Sequence, residues 1–226
     1  TEGRVSVNGV VVTELGYKVK KGDKIEVDGE LIQKENKVYY VMNKPKKTMC
    51  TLDDEFDRRT VVSLIDCEER IFPVGRLDYD TKGVILLTND GDFMNRMVGP
   101  QSGIQKEYLV RIKGIISQEE IQKLEKGVII NGHVTLPAIV DIDSVDRKNN
   151  SCLVRIIITE GINHQVKEMF ASIGHDVKKL TRVRFGNIRI DDLHEGEVRR
   201  LTPHEVKVLF ELSKASKILK RERRTY

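Results

Sequence analysis

The sequence predicts an α+β fold with a mainly antiparallel mixed sheet and flanking helices. Strand-like and helix-like stretches do not alternate regularly along the chain, which argues against a doubly wound parallel sheet. The apolar runs are short and of strand length, as in Val38-Tyr39-Tyr40-Val41-Met42 and Val84-Ile85-Leu86-Leu87, and turn residues or Pro close them. Only a few stretches place apolar residues at i, i+3, i+4 and i+7.

Taken in order, residues 1–36 read as a small β-rich unit. Arg4 to Gly9 is a strand ending in an Asn-Gly turn, Val10-Val11-Val12 follows, Lys21-Gly22-Asp23 turns, and Ile25-Glu26-Val27 is closed by Asp28-Gly29. About 36 residues is below the size at which a core usually stands alone. A larger unit begins with the strand Val38–Asn43, stopped by Pro45. Phe72-Pro73-Val74 and Val84–Thr88 are strand candidates, and Asn89-Asp90-Gly91 can cap a helix through Met97. Glu107–Lys113 alternates as a strand, and Ser117 to Glu120 is a capping box for a helix ending at Gly127. Residues 128–158 hold further β-type runs, and Cys152–Thr159 is a strand. Asn163 is expected to cap a helix whose Val166, Met169, Phe170 and Ile173 form one stripe before Gly174 stops it. Strands around Val183–Ile190 follow. Thr202-Pro203 opens a last helix with a stripe of Val206, Leu209, Phe210 and Ser213.

Composition narrows the function. The 226 residues are 39% hydrophobic and 33% charged, as in a soluble globular protein. No apolar run reaches the roughly 18–20 residues of a membrane span, and no signal peptide opens the chain, so a cytoplasmic protein without membrane attachment is expected. The chain opens on Thr1, so its true start is expected upstream. Cys50, Cys67 and Cys152 are too far apart for a Cys-x-x-Cys pair, and neither a disulfide framework nor a metal site is expected. Of the net charge of +4, the segment from Lys214 to Tyr226 supplies +5, which leaves residues 1–213 at −1. Two local clusters remain candidates for a phosphate-tracking groove or a solvated face: Lys44-Pro45-Lys46-Lys47, and Lys178, Lys179, Arg182, Arg184 and Arg189.

The stretch VGRLDYDTKGVILLTNDG, residues 74–91, sets Asp78 and Asp80 between two apolar runs. A calcium loop fails there, because the fifth position is Lys82 and the twelfth is Asn89 where a Glu is needed. Paired-carboxylate glycoside hydrolysis has no other support in a chain without Trp. As bare residues, the two aspartates would be turn formers.

The stretch GRLDYDTKGVILLTNDG resembles the signature of the RNA pseudouridine synthases, in the branch that modifies bacterial ribosomal RNA and carries an N-terminal S-four-type RNA-binding domain. Four further stretches agree in order: GRVSVNGVVVTELGYKVKKGDKIEVDG, VYYVMNKPKK, QKEYLVRIKG and EGINHQVKEMFASIGHDVKKLTRVRFGNI. The resemblance implies a pseudouridine-synthase catalytic domain over residues 37–213. A partial S-four-like unit would occupy residues 1–36, and a basic helical tail residues 214–226. It makes Asp78, directly after Arg76-Leu77, the catalytic carboxylate, with Asp80 ordering the turn. Tyr108 becomes the active-site tyrosine and Lys167 the basic partner of Asp78. RNA contacts are expected from Arg76, Lys44, His164, Lys178, Lys179, Arg182 and Arg184. The partner implied is ribosomal RNA, large-subunit rather than small-subunit, with a monomer, no cofactor and no metal. The sequence departs from the family at His164, Lys167 and Glu168, where arginines are common.

The chemistry such an enzyme needs is modest. Pseudouridine formation breaks the uridine N1–C1′ bond, turns the base and joins C5 to C1′. One ionised carboxylate can attack C1′ or remove the 2′ proton, and the sequence leaves both routes open. A buried carboxylate stays ionised only beside a cation, and an aromatic ring can receive the flipped base. The competing reading is a non-catalytic RNA-binding or ribosome-assembly factor with the same fold.

Overall fold

The computed structural model describes residues 2–20, 22–32, 35–99 and 102–222, with backbone alone for 215–222. The chain divides into two compact units, residues 1–36 and 37–226. In the first, the strands β1 (Val5–Val7), β2 (Val10–Val11), β3 (Ile25–Val27) and β4 (Glu30–Leu31) form an antiparallel sheet in the order β2-β1-β3-β4. Its two tight turns are Asn8-Gly9 and Asp28-Gly29, in which all four residues have positive φ. That is the hairpin geometry these residue pairs favour. The turn expected at Lys21-Gly22-Asp23 includes Lys21, which lies outside the described residues. β4 was not expected from the sequence; at two residues it is a strand only through its pairing with β3.

In the second unit the elements are β5 (Tyr39–Lys44), β6 (Phe72–Pro73), β7 (Lys82–Thr88), α1 (Gly91–Val98), β8 (Lys106–Lys113), α2 (Gln118–Lys126), β9 (Ile129–Ile130), β10 (His133–Val134), β11 (Ile139–Asp146), β12 (Ser151–Ile158), α3 (Gln165–Ser172), β13 (Val177–Phe185), β14 (Ile188–Arg189), β15 (Val198–Arg200) and α4 (Pro203–Glu222). Among the described residues, the main sheet is nine-stranded, in the order β11-β12-β8-β13-β7-β5-β15, with β14 on β13 and β6 on β7. Its pairs are antiparallel except β13 with β7, which run parallel through Thr181–Lys82 and Arg182–Gly83. The mixed, mainly antiparallel sheet of the α+β expectation is therefore present.

At its centre β7 is buried on both faces, which explains why Val84 to Leu87 is a continuous apolar run rather than an alternation. Ile85 and Leu87 join Tyr40, Met42, Tyr108, Val110 and Phe170 in one core. Val84 and Leu86 join Phe93, Met97, Phe185 and Leu209 in the other. The helix ends follow local chemistry. Asp90 caps α1 through the Phe93 amide at 3.2 Å, Ser117 and Glu120 form the capping box of α2, and Thr202 and Glu205 bond reciprocally at the start of α4. The start of α3 differs from expectation. Its cap is His164, in the left-handed region at φ 53°, not Asn163. The Gln165 side chain folds back and accepts from the Ile162 amide, ahead of the helix, at 3.0 Å. β13 begins at Val177, earlier than the strand expected around Val183, and β15 was not anticipated. No helix among the described residues is long and apolar enough to cross a membrane.

Candidate active site

A cleft of about 330 Å³ opens where the Val74–Thr81 segment, β8, β13 and the approach to α3 meet. Asp78, Tyr108, Arg76, His164, Lys106 and Arg182 are among its lining residues. The Asp78 turn is fixed from several sides. The Thr81 amide donates to the Asp78 carbonyl at 3.1 Å, and the Leu77 amide donates to Cys50 Sγ at 3.4 Å. β7 starts immediately afterwards at the parallel seam. Gly83 is required there: its φ is +111°, and a Cβ would lie 2.1 Å from the Arg182 carbonyl oxygen.

Asp78 is met by two basic side chains from the start of α3. Lys167 Nζ lies 3.0 Å from Asp78 Oδ2 and 2.7 Å from Asp80 Oδ1. His164 Nδ1 lies 3.1 Å from the same Asp78 oxygen. Lys167 therefore does not face solvent freely; it clamps both aspartates of the DYD turn. Burial alone would lower its pKa, but hydrogen bonds to Asp80 and Asp78 outweigh burial and hold the ammonium above its ordinary value. The same hydrogen bond holds the Asp80 carboxyl below the usual carboxylate range. An ionised carboxylate beside a fixed ammonium, in a cleft also walled by an aromatic ring, can act as a nucleophile or a base without a metal.

Tyr108 is buried on β8, where it belongs to the core and lines the cleft. In the strand register it stands opposite Arg182 of β13. Arg76 is exposed at the cleft, as a group contacting RNA must be. Lys178 and Lys179 are exposed at the beginning of β13, and Lys178 pairs with Asp176 at 3.6 Å.

One expected RNA contact, Lys44, is corrected, and two others, Arg184 and Arg182, are engaged within the protein. Lys44 is 0% exposed. Its ammonium donates to the carbonyls of Pro45, Asp78 and Thr81 at 3.1, 3.1 and 2.8 Å, so it braces the Asp78 turn from beneath and presents no charge to a ligand. Arg184 is held by Glu107 at 2.7 Å and by the Gly186 carbonyl at 2.8 Å. It serves a buried carboxylate also bonded by Arg155. Arg182 is buried and turned into the cleft wall rather than onto an open groove, and its Nε donates to the Val84 carbonyl at 2.7 Å.

Sequence reasoning missed Lys106. It opens β8, two residues before Tyr108, so the two share a strand face; that i, i+2 relation was the available signal. Burial, reinforced by Arg182, lowers its pKa to about 8.

The chain is similar to known proteins over most of its length. A family model described as RNA pseudouridylate synthase matches residues 38–172, and an S4 domain model matches residues 1–25. The chain is 44% identical over 209 residues to ribosomal large subunit pseudouridine synthase B of Bacillus subtilis (strain 168), covering 92% of this chain and 86% of that protein. It is 36% identical over 214 residues to the dual-specificity RNA pseudouridine synthase RluF of Escherichia coli (strain K12), covering 93% and 71%. A crystal structure of a pseudouridylate synthase superposes with a TM-score of 0.71 at 32% identity, covering 92% of this chain and 89% of that one.

Proposed function

Because this chain belongs to the RNA pseudouridylate synthase family, we propose that it isomerises a specific uridine of ribosomal RNA, in the large subunit, with Asp78 as the reacting carboxylate. The observation that carries this reading is the meeting of Asp78 and Tyr108 in one cleft, with Lys167 3.0 Å from the carboxylate. A non-catalytic RNA-binding protein has no need of that clamp.

The cleft lies at the small end of ligand sites, about 300–1,000 Å³, and suits one nucleoside turned out of its helix. The uridine must leave its stack to reach Asp78, and the Tyr108 ring receives the base. Arg76, exposed at the same cleft, holds the RNA backbone or occupies the space the base has left. Lys167, 3.0 Å from Asp78 Oδ2, fixes the orientation of the carboxylate. The carboxylate then attacks C1′ or takes the 2′ proton. Residues 1–36 dock the RNA, residues 37–213 carry the chemistry and residues 214–226 add positive charge.

The test is a pair of variants assayed on ribosomal RNA fragments, with pseudouridine mapped by position. Asp78→Asn keeps the shape and removes the charge; the rate falls at least 1,000-fold while RNA affinity changes little. Asp80→Asn loses one partner of Lys167 and keeps most activity. An active Asp78→Asn together with an inactive Asp80→Asn would reverse the assignment.

A further inference from the structure

Two cations in the cleft wall lack a carboxylate partner. Lys106 is 8% exposed and Arg182 is 3% exposed. Among the described residues neither forms an ion pair. The Lys106 ammonium reaches only the Ile104 and Glu160 carbonyl oxygens, at 3.4 and 3.5 Å, which is long for a charged donor. Arg182 uses Nε on the Val84 carbonyl, and its Nη2 is buried without a hydrogen-bond partner. Both groups border one ring, Phe185: Lys106 Nζ lies 5.8 Å from its centroid and Arg182 Cζ 5.4 Å.

This arrangement is costly in the free protein. Buried charges are normally paired, and buried donors are normally satisfied. Here two like charges share a wall and penalise one another. The groups that face Lys106 are Arg182 from β13 and Glu160 from the segment after β12. Asp78, Tyr108 and His164 line the same cleft, but Asp78 and His164 already contact each other, and Lys167 joins Asp78. An unpaired guanidinium and an unpaired ammonium beside an aromatic ring are complementary to a flat anion whose charge is spread over several atoms.

We propose that Lys106 and Arg182 form an anion-holding subsite that carries the detached uracil ring between bond cleavage and rejoining. The proposal rests on the reading of the protein as a pseudouridine synthase and adds a role that Asp78 cannot fill. When the N1–C1′ bond breaks, its electron pair stays on N1, so the ring departs as a monoanion with charge shared by O2 and O4. The ribose is left as an ester of Asp78, or as an unsaturated sugar whose 2′ proton Asp78 holds. The ring turns while the two cations retain its charge. C5 then bonds to C1′, the carboxylate leaves or returns its proton, C5 loses its proton and N1 takes one up. Nothing is consumed, and the product is an isomer. Fixed donors that meet developing charge in a dry site favour that step. They also keep the free base from escaping.

Two measurements on the full chain test this. Equilibrium dialysis at pH 7 compares 5-nitrouracil, a monoanion near neutral pH, with neutral uracil. The wild type binds 5-nitrouracil at least tenfold more tightly. Lys106→Met loses that preference and Lys106→Arg keeps it. Single-turnover pseudouridine formation is then followed against pH, with RNA affinity and thermal melting as controls. Lys106→Met slows the step about 100-fold with RNA affinity within threefold. The wild-type rate falls as pH rises through about 8, the value set by burial of Lys106, because only the ammonium holds the anion. A rate that rises through that pH would make Lys106 a neutral base and overturn the proposal. Equal binding of the two uracils, or a Lys106→Met enzyme as fast as wild type, would also overturn it. A wild type that forms no pseudouridine in ribosomal RNA yet retains the preference for 5-nitrouracil would overturn the reaction reading and keep the anion subsite.

Discussion

Replacing Lys44 by Met separates bracing from RNA binding. The two side chains are similar in length, and the site is fully enclosed, so the change is chiefly the loss of an ammonium. Three carbonyl oxygens, on Pro45, Asp78 and Thr81, lose their donor. Hydrogen bonds from a charged donor contribute about 1.5–3 kcal/mol each, giving a gross loss of about 4.5–9 kcal/mol. Burying the ammonium itself costs several kcal/mol, which the variant avoids. The net destabilisation of the 37–226 unit is about 3 kcal/mol. With a urea slope of about 3 kcal/mol/M, the unfolding midpoint falls by about 1 M. The assay is urea unfolding of both proteins, paired with RNA binding at several salt concentrations on the folded fraction. A phosphate ligand would instead reduce the slope of log affinity against log salt by about 0.7–0.9. An unchanged midpoint with a reduced slope would refute the bracing role and return Lys44 to the RNA surface.

Two further outcomes follow from groups outside the cleft. Burial alone would raise the Glu107 carboxyl, but hydrogen bonds from Arg184 and Arg155 outweigh it and hold its pKa below the usual range. The native state thus gives up this proton more readily than the unfolded chain, and the associated stability is present above about pH 4.3 and disappears as pH falls through the depressed value. Unfolding curves of wild type and Glu107→Gln therefore differ near neutrality and converge in acid; a constant difference down to pH 2 would contradict this. Removing residues 214–226, with their six Lys/Arg and one Glu, flattens the salt dependence of RNA binding without moving the modified position. A salt series with site mapping checks both halves, and a shifted position would give the tail a part in target choice.

What the sequence revealed was whatever depended on neighbours in the chain. The caps at Asp90, Ser117 and Thr202 bond within three residues and were readable. So was the α3 stripe, because its period is local. Asp78 stood out through the order of five motifs. The failures concern burial created by distant segments. Lys44 lies in a run of basic residues and looks solvent-facing, yet Asp78 and Thr81, more than thirty positions away, enclose it. Arg182 and Arg184 read as surface charges because their acceptors, Val84 and Glu107, come from other strands. The cap at His164 was misplaced because a single left-handed residue leaves no composition signal. Val198-Arg199-Arg200 is too polar to read as a strand, and becomes β15 only by pairing with β5.

The parallel seam between β7 and β13 has a consequence for the moment the protein becomes competent. Its paired residues are about a hundred positions apart in the chain. One wall of the cleft, Val74 to Thr81, is made early in translation, and the wall from Ile158 to Phe185 comes much later. Closing so long a loop is entropically expensive, and contacts of this separation form late. A growing chain on the ribosome therefore exposes Asp78 well before Lys167, His164 or Arg182 has been synthesised. Translation itself sets the order: the carboxylate is laid down first, and its partners arrive only when the strand that completes the sheet emerges.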